Sequence, residues 1–252
     1  LGTRLYAGEA HTFSVEVSGG LPPLEFLWRR DGEPLGGTSG PTLELSALAT
    51  LDAGTYTCRV VDALGTVLNT AEAVLDVQEA PAIAVQPADL RLYLEQDETL
   101  AVEVSGGFAP LTYQWTKNGT DIPGAAGTVR EDGRATYTTG AVTAASAGEY
   151  ACRIVDDRAS SVVSEAALLE VAAPPTFASQ PEGARIYIGQ SHTFELDAAG
   201  GFPPLTYRWY KDEIPIPGAT AATYTTGSAE LTTAGAYVCV VHDALGTRLE
   251  SA

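Results

Sequence analysis

The chain has 252 residues, with 14 Lys and Arg against 32 Asp and Glu and a formal net charge of −18. That balance argues against nucleic acid, whose phosphates need clustered basic side chains, and against an anionic membrane surface. No apolar run approaches the roughly 20 residues of a membrane-spanning helix, and Leu1-Gly2-Thr3 does not open a secretion leader.

Three markers then recur in phase. Arg4-Leu5-Tyr6 comes first and returns as Arg91-Leu92-Tyr93 and Arg185-Ile186-Tyr187. Ser18-Gly19-Gly20-Leu21-Pro22-Pro23-Leu24 follows, with counterparts in Ser105-Gly106-Gly107-Phe108-Ala109-Pro110-Leu111 and Ala199-Gly200-Gly201-Phe202-Pro203-Pro204-Leu205. Trp28, Trp115 and Trp209 come next, and the runs ending Tyr56-Thr57-Cys58, Tyr150-Ala151-Cys152 and Tyr237-Val238-Cys239 close the pattern. The tryptophans precede their cysteines by 30, 37 and 30 residues. The chain therefore divides into units 1–79, 80–173 and 174–252, each long enough to close its own core. Their net charges of −7, −7 and −4 spread the acidity along the array, as solubility and self-repulsion require.

Within a unit the signal has period two, the mark of half-buried strands. Phe13, Val15 and Val17 share one face; so do Phe26 and Trp28, Tyr113 and Trp115, Tyr207 and Trp209, and Tyr56 and Cys58. Asp31-Gly32, Asn118-Gly119 and Ala63-Leu64-Gly65 read as turns between strands. Asn118-Gly119-Thr120 is also a glycosylation sequon, but it replaces a hairpin turn and is read as one. No segment holds helical spacing, so the expectation is all-β. The second unit carries seven extra residues between Gly124 and Tyr137, a polar insertion suited to a surface loop. Gln78-Glu79-Ala80-Pro81-Ala82 and Ala172-Ala173-Pro174-Pro175-Thr176 are short proline-bearing joints, read as semi-rigid spacers. Unit one lacks a counterpart of Pro81–Pro87, and unit three lacks one of Val74–Val77. The expectation is a first sandwich without its first strand, a third with its last strand truncated, and a window cut from a longer array.

These residues resemble tandem immunoglobulin-like domains of the intermediate set, most closely the alanine-rich versions in large bacterial surface proteins. The pattern that carries the resemblance is Gly-Gly-x-Pro-Pro-Leu-x-Tyr-x-Trp, Ala-Gly-x-Tyr-x-Cys and Val-x-Asp-Ala-x-Gly, and it covers all three units. It implies three tandem β-sandwiches with structural cores at Trp28, Tyr56 and Cys58, Trp115, Tyr150 and Cys152, and Trp209, Tyr237 and Cys239. The tyrosines stand at the family's tyrosine-corner position, where the hydroxyl bonds to nearby backbone. Val15, Val102 and Leu196 stand where the family's first cysteine would be, so no disulfide forms within a domain and each thiol is expected buried and inert. The missing bridge leaves a reducing compartment open, whereas the absence of Met and the Ala/Gly/Thr/Ser-rich acidic composition favour an exported bacterial polymer.

Chemistry finds no foothold. His11 and His192 occupy equivalent places in separate units, and His242 stands apart, so no nucleophile, base and orienter converge and the chain is not read as an enzyme. No Cys/His spacing matches zinc, the joints hold too few carboxylates for calcium, and no cofactor is implied. Asp156-Asp157 and Glu131-Asp132 read as solvated turns. Phe108 and Phe202 are expected to pack on the linkers before them, with Leu245 helping at the second joint. A second candidate surface is the outward face carrying Leu27, Arg29, Thr57, Arg59 and Val61, and in unit three Arg208, Tyr210, Val238, Val240 and His242. The reading is a structural spacer of a long extracellular bacterial surface protein or fibre, its partners being neighbouring repeats, self-association into fibres, or other surface proteins and glycans. The alternative is an adhesin that recognises protein or glycan through loops such as Thr128–Arg134.

Overall fold

The computed structural model describes residues 2–37 and 39–252; Leu1 lies outside them. The chain forms two compact units. Of the described residues, one holds 2–37, 39–87, 101–137 and 151–166, and the other holds 88–100, 138–150 and 167–252.

In the first unit, Glu25–Arg30 pairs antiparallel with Gly54–Val61, setting Trp28 opposite Cys58. Gly54–Val61 also pairs with Ala73–Gln78, against which Thr3–Tyr6 runs parallel. His11–Ser14 and Thr42–Leu45 form the facing sheet. Period two is visible in the burial: Tyr56, Cys58 and Val60 point into the core while Thr55, Thr57 and Arg59 do not. Between the sheets lie Phe13, Trp28, Leu43, Leu48, Tyr56, Cys58, Val60, Leu75 and Val77. Phe13 stacks on Tyr56 at 4.5 Å between ring centroids, and the Trp28 indole donates to the Gly40 carbonyl at 3.1 Å.

The same unit holds Ala82–Val85, paired with the Glu103–Ser105 part of the strand Thr99–Ser105. It also holds the hairpin Thr112–Lys117 with Thr120–Thr128. Asn118 and Gly119 turn that hairpin at φ 49° and 77°, the left-handed conformation a two-residue β-turn requires. The extra residues of the second repeat thus lengthen an edge strand. The surface loop expected between Gly124 and Tyr137 shrinks to a turn in which Gly133 donates to the Arg130 carbonyl and accepts from the Val104 amide.

In the second unit, Leu90–Tyr93 runs parallel to Ala167–Ala172, repeating the register of Thr3–Tyr6 on Ala73–Gln78. The third sandwich is built from Thr206–Lys211 against Tyr237–His242, with Trp209 opposite Cys239, flanked by Ile214–Pro215 and Arg248–Glu250. Leu196, Trp209, Ala219, Cys239 and Val241 form its core.

Candidate functional site

The residues expected to be structural are buried. Trp28, Trp115, Trp209 and all three cysteines lie in the interior. The thiols are free, and burial pushes Cys58 up, Cys152 up to about 12 and Cys239 up to about 11. The Tyr56, Tyr150 and Tyr237 hydroxyls donate to the carbonyls of Asp52, Ser146 and Thr233 at 2.7, 2.8 and 2.8 Å.

The distinctive geometry lies four residues beyond each cysteine, at Asp62, Asp156 and Asp243. Asp156 accepts the backbone N–H groups of Phe108, Arg158 and Ser160 at 2.9, 3.0 and 3.0 Å. Asp243 accepts those of Phe202, Leu245 and Thr247 at 2.9, 3.0 and 3.0 Å. Asp62 accepts those of Leu21, Leu64 and Thr66 at 3.2, 3.0 and 2.8 Å. In each repeat, one carboxylate ties the double-glycine loop to the last hairpin and fixes both loops as a single socket.

Two sockets hold a tyrosine from the preceding repeat. Tyr6 donates its hydroxyl to Asp156 at 2.5 Å, its ring 5.4 Å from that of Phe108. Arg4 lies over the Phe108 ring at 4.4 Å and pairs with Asp157; Arg158 lies over the Tyr6 ring at 4.4 Å and pairs with Glu9 at 2.9 Å. In the second joint Tyr93 bonds to Asp243 and, at 2.7 Å, to the Thr247 hydroxyl, with its ring 5.5 Å from Phe202. Arg91 lies 5.8 Å from the Phe202 ring centroid. Ala244 and Leu245 occupy the places of Asp157 and Arg158, so the ion pairs of the first joint have no counterpart there.

The linkers are held at the same place. Gly107 donates to the Glu79 carbonyl and Gly201 to that of Ala173, both at 2.8 Å. A Cβ on Gly106 or Gly200 would stand 2.5 Å from the Ala80 carbonyl oxygen or 2.4 Å from that of Pro174, so these positions admit only glycine.

Phe108 and Phe202 are thus buried against the tyrosine rings, while the contacts to the linkers are made by the glycines before them. Leu245 stays 44% exposed and supplies its backbone N–H. Asp156, expected in a solvated turn, is only 5% exposed, and Asp157 meets Arg4. Burial alone would raise the Asp156 carboxyl; the Tyr6 hydroxyl and three backbone donors outweigh it and hold the group below the usual carboxylate range. The Arg158 hydrogen bond, then the Tyr6 amide, lowers Glu9. Burial, then the Asp156 hydrogen bond, raises the Tyr6 phenol. Sequence reasoning missed Tyr6, Tyr93, Asp156 and Asp243, although the aspartates recur at one fixed offset from the cysteines.

The remaining candidates serve packing. His11 and His192 meet Phe13 and Phe194 edge-on at 4.5 and 4.7 Å. Val240, on the face proposed for contact, is buried, whereas Val238 lies in a shallow groove with Tyr210 and Arg248. Among the described residues no group of three or more His, Cys, Asp or Glu side chains is placed to hold a metal ion.

No protein-family model matches the chain. Solved structures do. An I-band fragment of titin covers 99% of the chain, and 93% of its own, with a TM-score of 0.63 at 20% identity. An eight-domain fragment of Down Syndrome Cell Adhesion Molecule also covers 99% of the chain, which spans 35% of that structure, with a TM-score of 0.66 at 24% identity. The chain is a tandem of immunoglobulin-like sandwiches. Among curated relatives, Roundabout homolog 1 of Homo sapiens is 26% identical over 211 residues, 81% of this immunoglobulin-like chain, which spans only 12% of that relative's length. No helix among the described residues is long and apolar enough to cross a membrane.

Proposed function

We propose that this segment is a structural spacer in a long extracellular protein of repeated immunoglobulin-like domains, divided at 1–79, 80–173 and 174–252, and that its joints are built to resist bending. The observation that carries the reading is the repeated latch: Tyr6 on Asp156 and Tyr93 on Asp243, each beside a buried phenylalanine and a glycine-clamped linker. A freely hinged array needs none of these contacts, since default interdomain contacts are small and polar. Resemblance to the Roundabout, titin and cell-adhesion chains supports a repeat-array role. The acidic, Met-free composition supports placing the array on a bacterial surface.

Nitrogen-15 relaxation tests the reading. Sandwiches joined by these latches share one rotational correlation time, and a Tyr6→Ala, Tyr93→Ala double variant, which removes ring and hydroxyl together, separates them. Independent tumbling in the unmutated chain overturns the proposal.

A further inference from the structure

The two joints share one scaffold and differ in their charges. Tyr6 and Tyr93 each sit at a turn in which the tyrosine amide donates to the side chain three residues on. That acceptor is Glu9 at 2.6 Å in the first joint and Gln96 at 2.7 Å in the second. The third repeat builds the same turn with Gln190, 2.9 Å from the Tyr187 amide. A neutral side chain therefore serves the turn as well as a carboxylate does. The socket is equally indifferent to charge. Asp156 accepts the amides of Arg158 and Ser160 at 3.0 Å, and Asp243 accepts those of Leu245 and Thr247 at the same distance.

The charges of Glu9, Asp157 and Arg158 thus serve neither turn nor socket, and each meets an opposite charge from the other repeat. The Glu9 carboxylate oxygen that accepts the Tyr6 amide also accepts from Arg158 at 2.9 Å, which ties the turn to the opposite hairpin. Arg158 lies over the Tyr6 ring in the same contact. Arg4 pairs with Asp157, whereas its counterpart Arg91 pairs with Glu170 on the neighbouring strand at 2.5 Å, since Ala244 offers it no acceptor. All three charges are neutral together in the second joint, as Gln96, Ala244 and Leu245.

We propose that the first joint loosens with ionic strength while the second does not, and that residues 9, 157 and 158 decide which kind a joint is. The inference rests on reading the two contacts as joints. A single exposed ion pair contributes little, but these two share aromatic rings and hydrogen bonds and act as a network. Their side chains are 28–45% exposed, within reach of screening ions. Salt also relaxes the self-repulsion of a chain with net charge −18, which favours both joints alike. The signature is therefore a difference between the joints, not a trend common to both.

Native-state hydrogen exchange of the intact chain tests this, with sodium chloride raised from about 10 mM to about 1 M so that the screening length falls from about 30 Å to about 3 Å. The Gly107 and Gly201 amides, bonded to the linker carbonyls of Glu79 and Ala173, report the two joints. Gly107 exchange is expected to accelerate about three- to tenfold relative to Gly201. A Glu9→Gln, Asp157→Ala, Arg158→Leu variant gives the first joint the residues of the second, and the difference disappears. The reciprocal Gln96→Glu, Ala244→Asp, Leu245→Arg variant transfers the salt response to Gly201. Every substitution installs a residue that another repeat already carries at that place, so the fold accommodates it. Equal salt responses at Gly107 and Gly201 in the unmutated chain overturn the proposal, as does a difference that survives in the first variant. Independent tumbling of the sandwiches at low salt would remove the joint reading itself; shared tumbling with exchange indifferent to salt removes only this inference.

Discussion

Tyr6 and Asp156 lie 150 residues apart and meet at 2.5 Å, and the same separation joins Tyr93 to Asp243. The equality arises because both intervals cross the second repeat's insertion between Gly124 and Tyr137. A hydrogen bond to a charged acceptor is worth about 1.5–3 kcal/mol, more than a neutral pair. Tyr6→Phe keeps the ring on Phe108 and removes only that bond. The expected effect is a loss near the lower end of that range at the first joint, seen as faster exchange of the Phe108 and Gly107 amides. Tyr56→Phe, which cuts a bond inside the first sandwich, leaves those amides unchanged.

Acid opens the first joint by a defined route. The Asp156 and Glu9 carboxyls both have lowered values in the folded chain, so their stabilisation is complete above the ordinary carboxylate range and is lost as pH falls through the lowered values. Tyr6 works in the opposite sense: its raised phenol favours the joint below the ordinary tyrosine value and ceases to do so as pH rises through the raised one. The charged neighbours Arg4, Asp157 and Arg158 frame the same contact. Shared tumbling of the first two sandwiches is expected to hold through neutral pH and fail at both extremes. In Asp156→Asn the acid limb shrinks. An acid limb that is the same in the variant and the parent chain would remove Asp156 as its source.

The double glycines separate local strain from linker packing. Gly200 sits at φ 72° with Pro174 and Ala173 carbonyls against its missing Cβ, whereas Gly19, its counterpart, sits at φ 82° with nothing within 4 Å. Both substitutions to alanine cost the left-handed penalty, about 1–2 kcal/mol. Only Gly200→Ala must also push the linker away. Thermal denaturation is expected to show a small shift for Gly19→Ala with joint tumbling intact, and a larger shift with loss of joint order for Gly200→Ala.

The sandwiches were legible because their cores repeat a local code. Trp28, Tyr56 and Cys58 are placed by strand periodicity and by the corner bond to Asp52, all within one repeat. The joints were not, because nothing near Asp156 in sequence explains its burial. An acidic hairpin residue ordinarily faces water, and the tyrosine and phenylalanine that meet it come from the preceding repeat and the opposite loop. Leu245 misled in the same way: an apolar loop residue suggested packing, yet the aspartate two residues before it draws on its backbone. The insertion was visible as extra length, but its polar, glycine-rich composition disguised an edge strand.

The three indoles are alike in burial and unlike in bonding. Trp28 and Trp209 donate to the carbonyls of Gly40 and Ala221 at 3.1 and 2.9 Å, whereas the buried Trp115 Nε1 has no acceptor within reach among the described residues. The carbonyls come from the segment following the Trp-strand hairpin, which in the second repeat is drawn into the longer strand Thr120–Thr128. Replacing each tryptophan with phenylalanine removes similar apolar volume. In the first and third sandwiches it also strands a carbonyl, costing about 1–3 kcal/mol, while in the second it deletes an unsatisfied donor. Trp115→Phe is therefore expected to be milder than Trp209→Phe by about 1–2 kcal/mol, measured by native-state hydrogen exchange read separately in each sandwich. Equal losses at the two positions would mean that the Trp115 N–H finds an acceptor in solution.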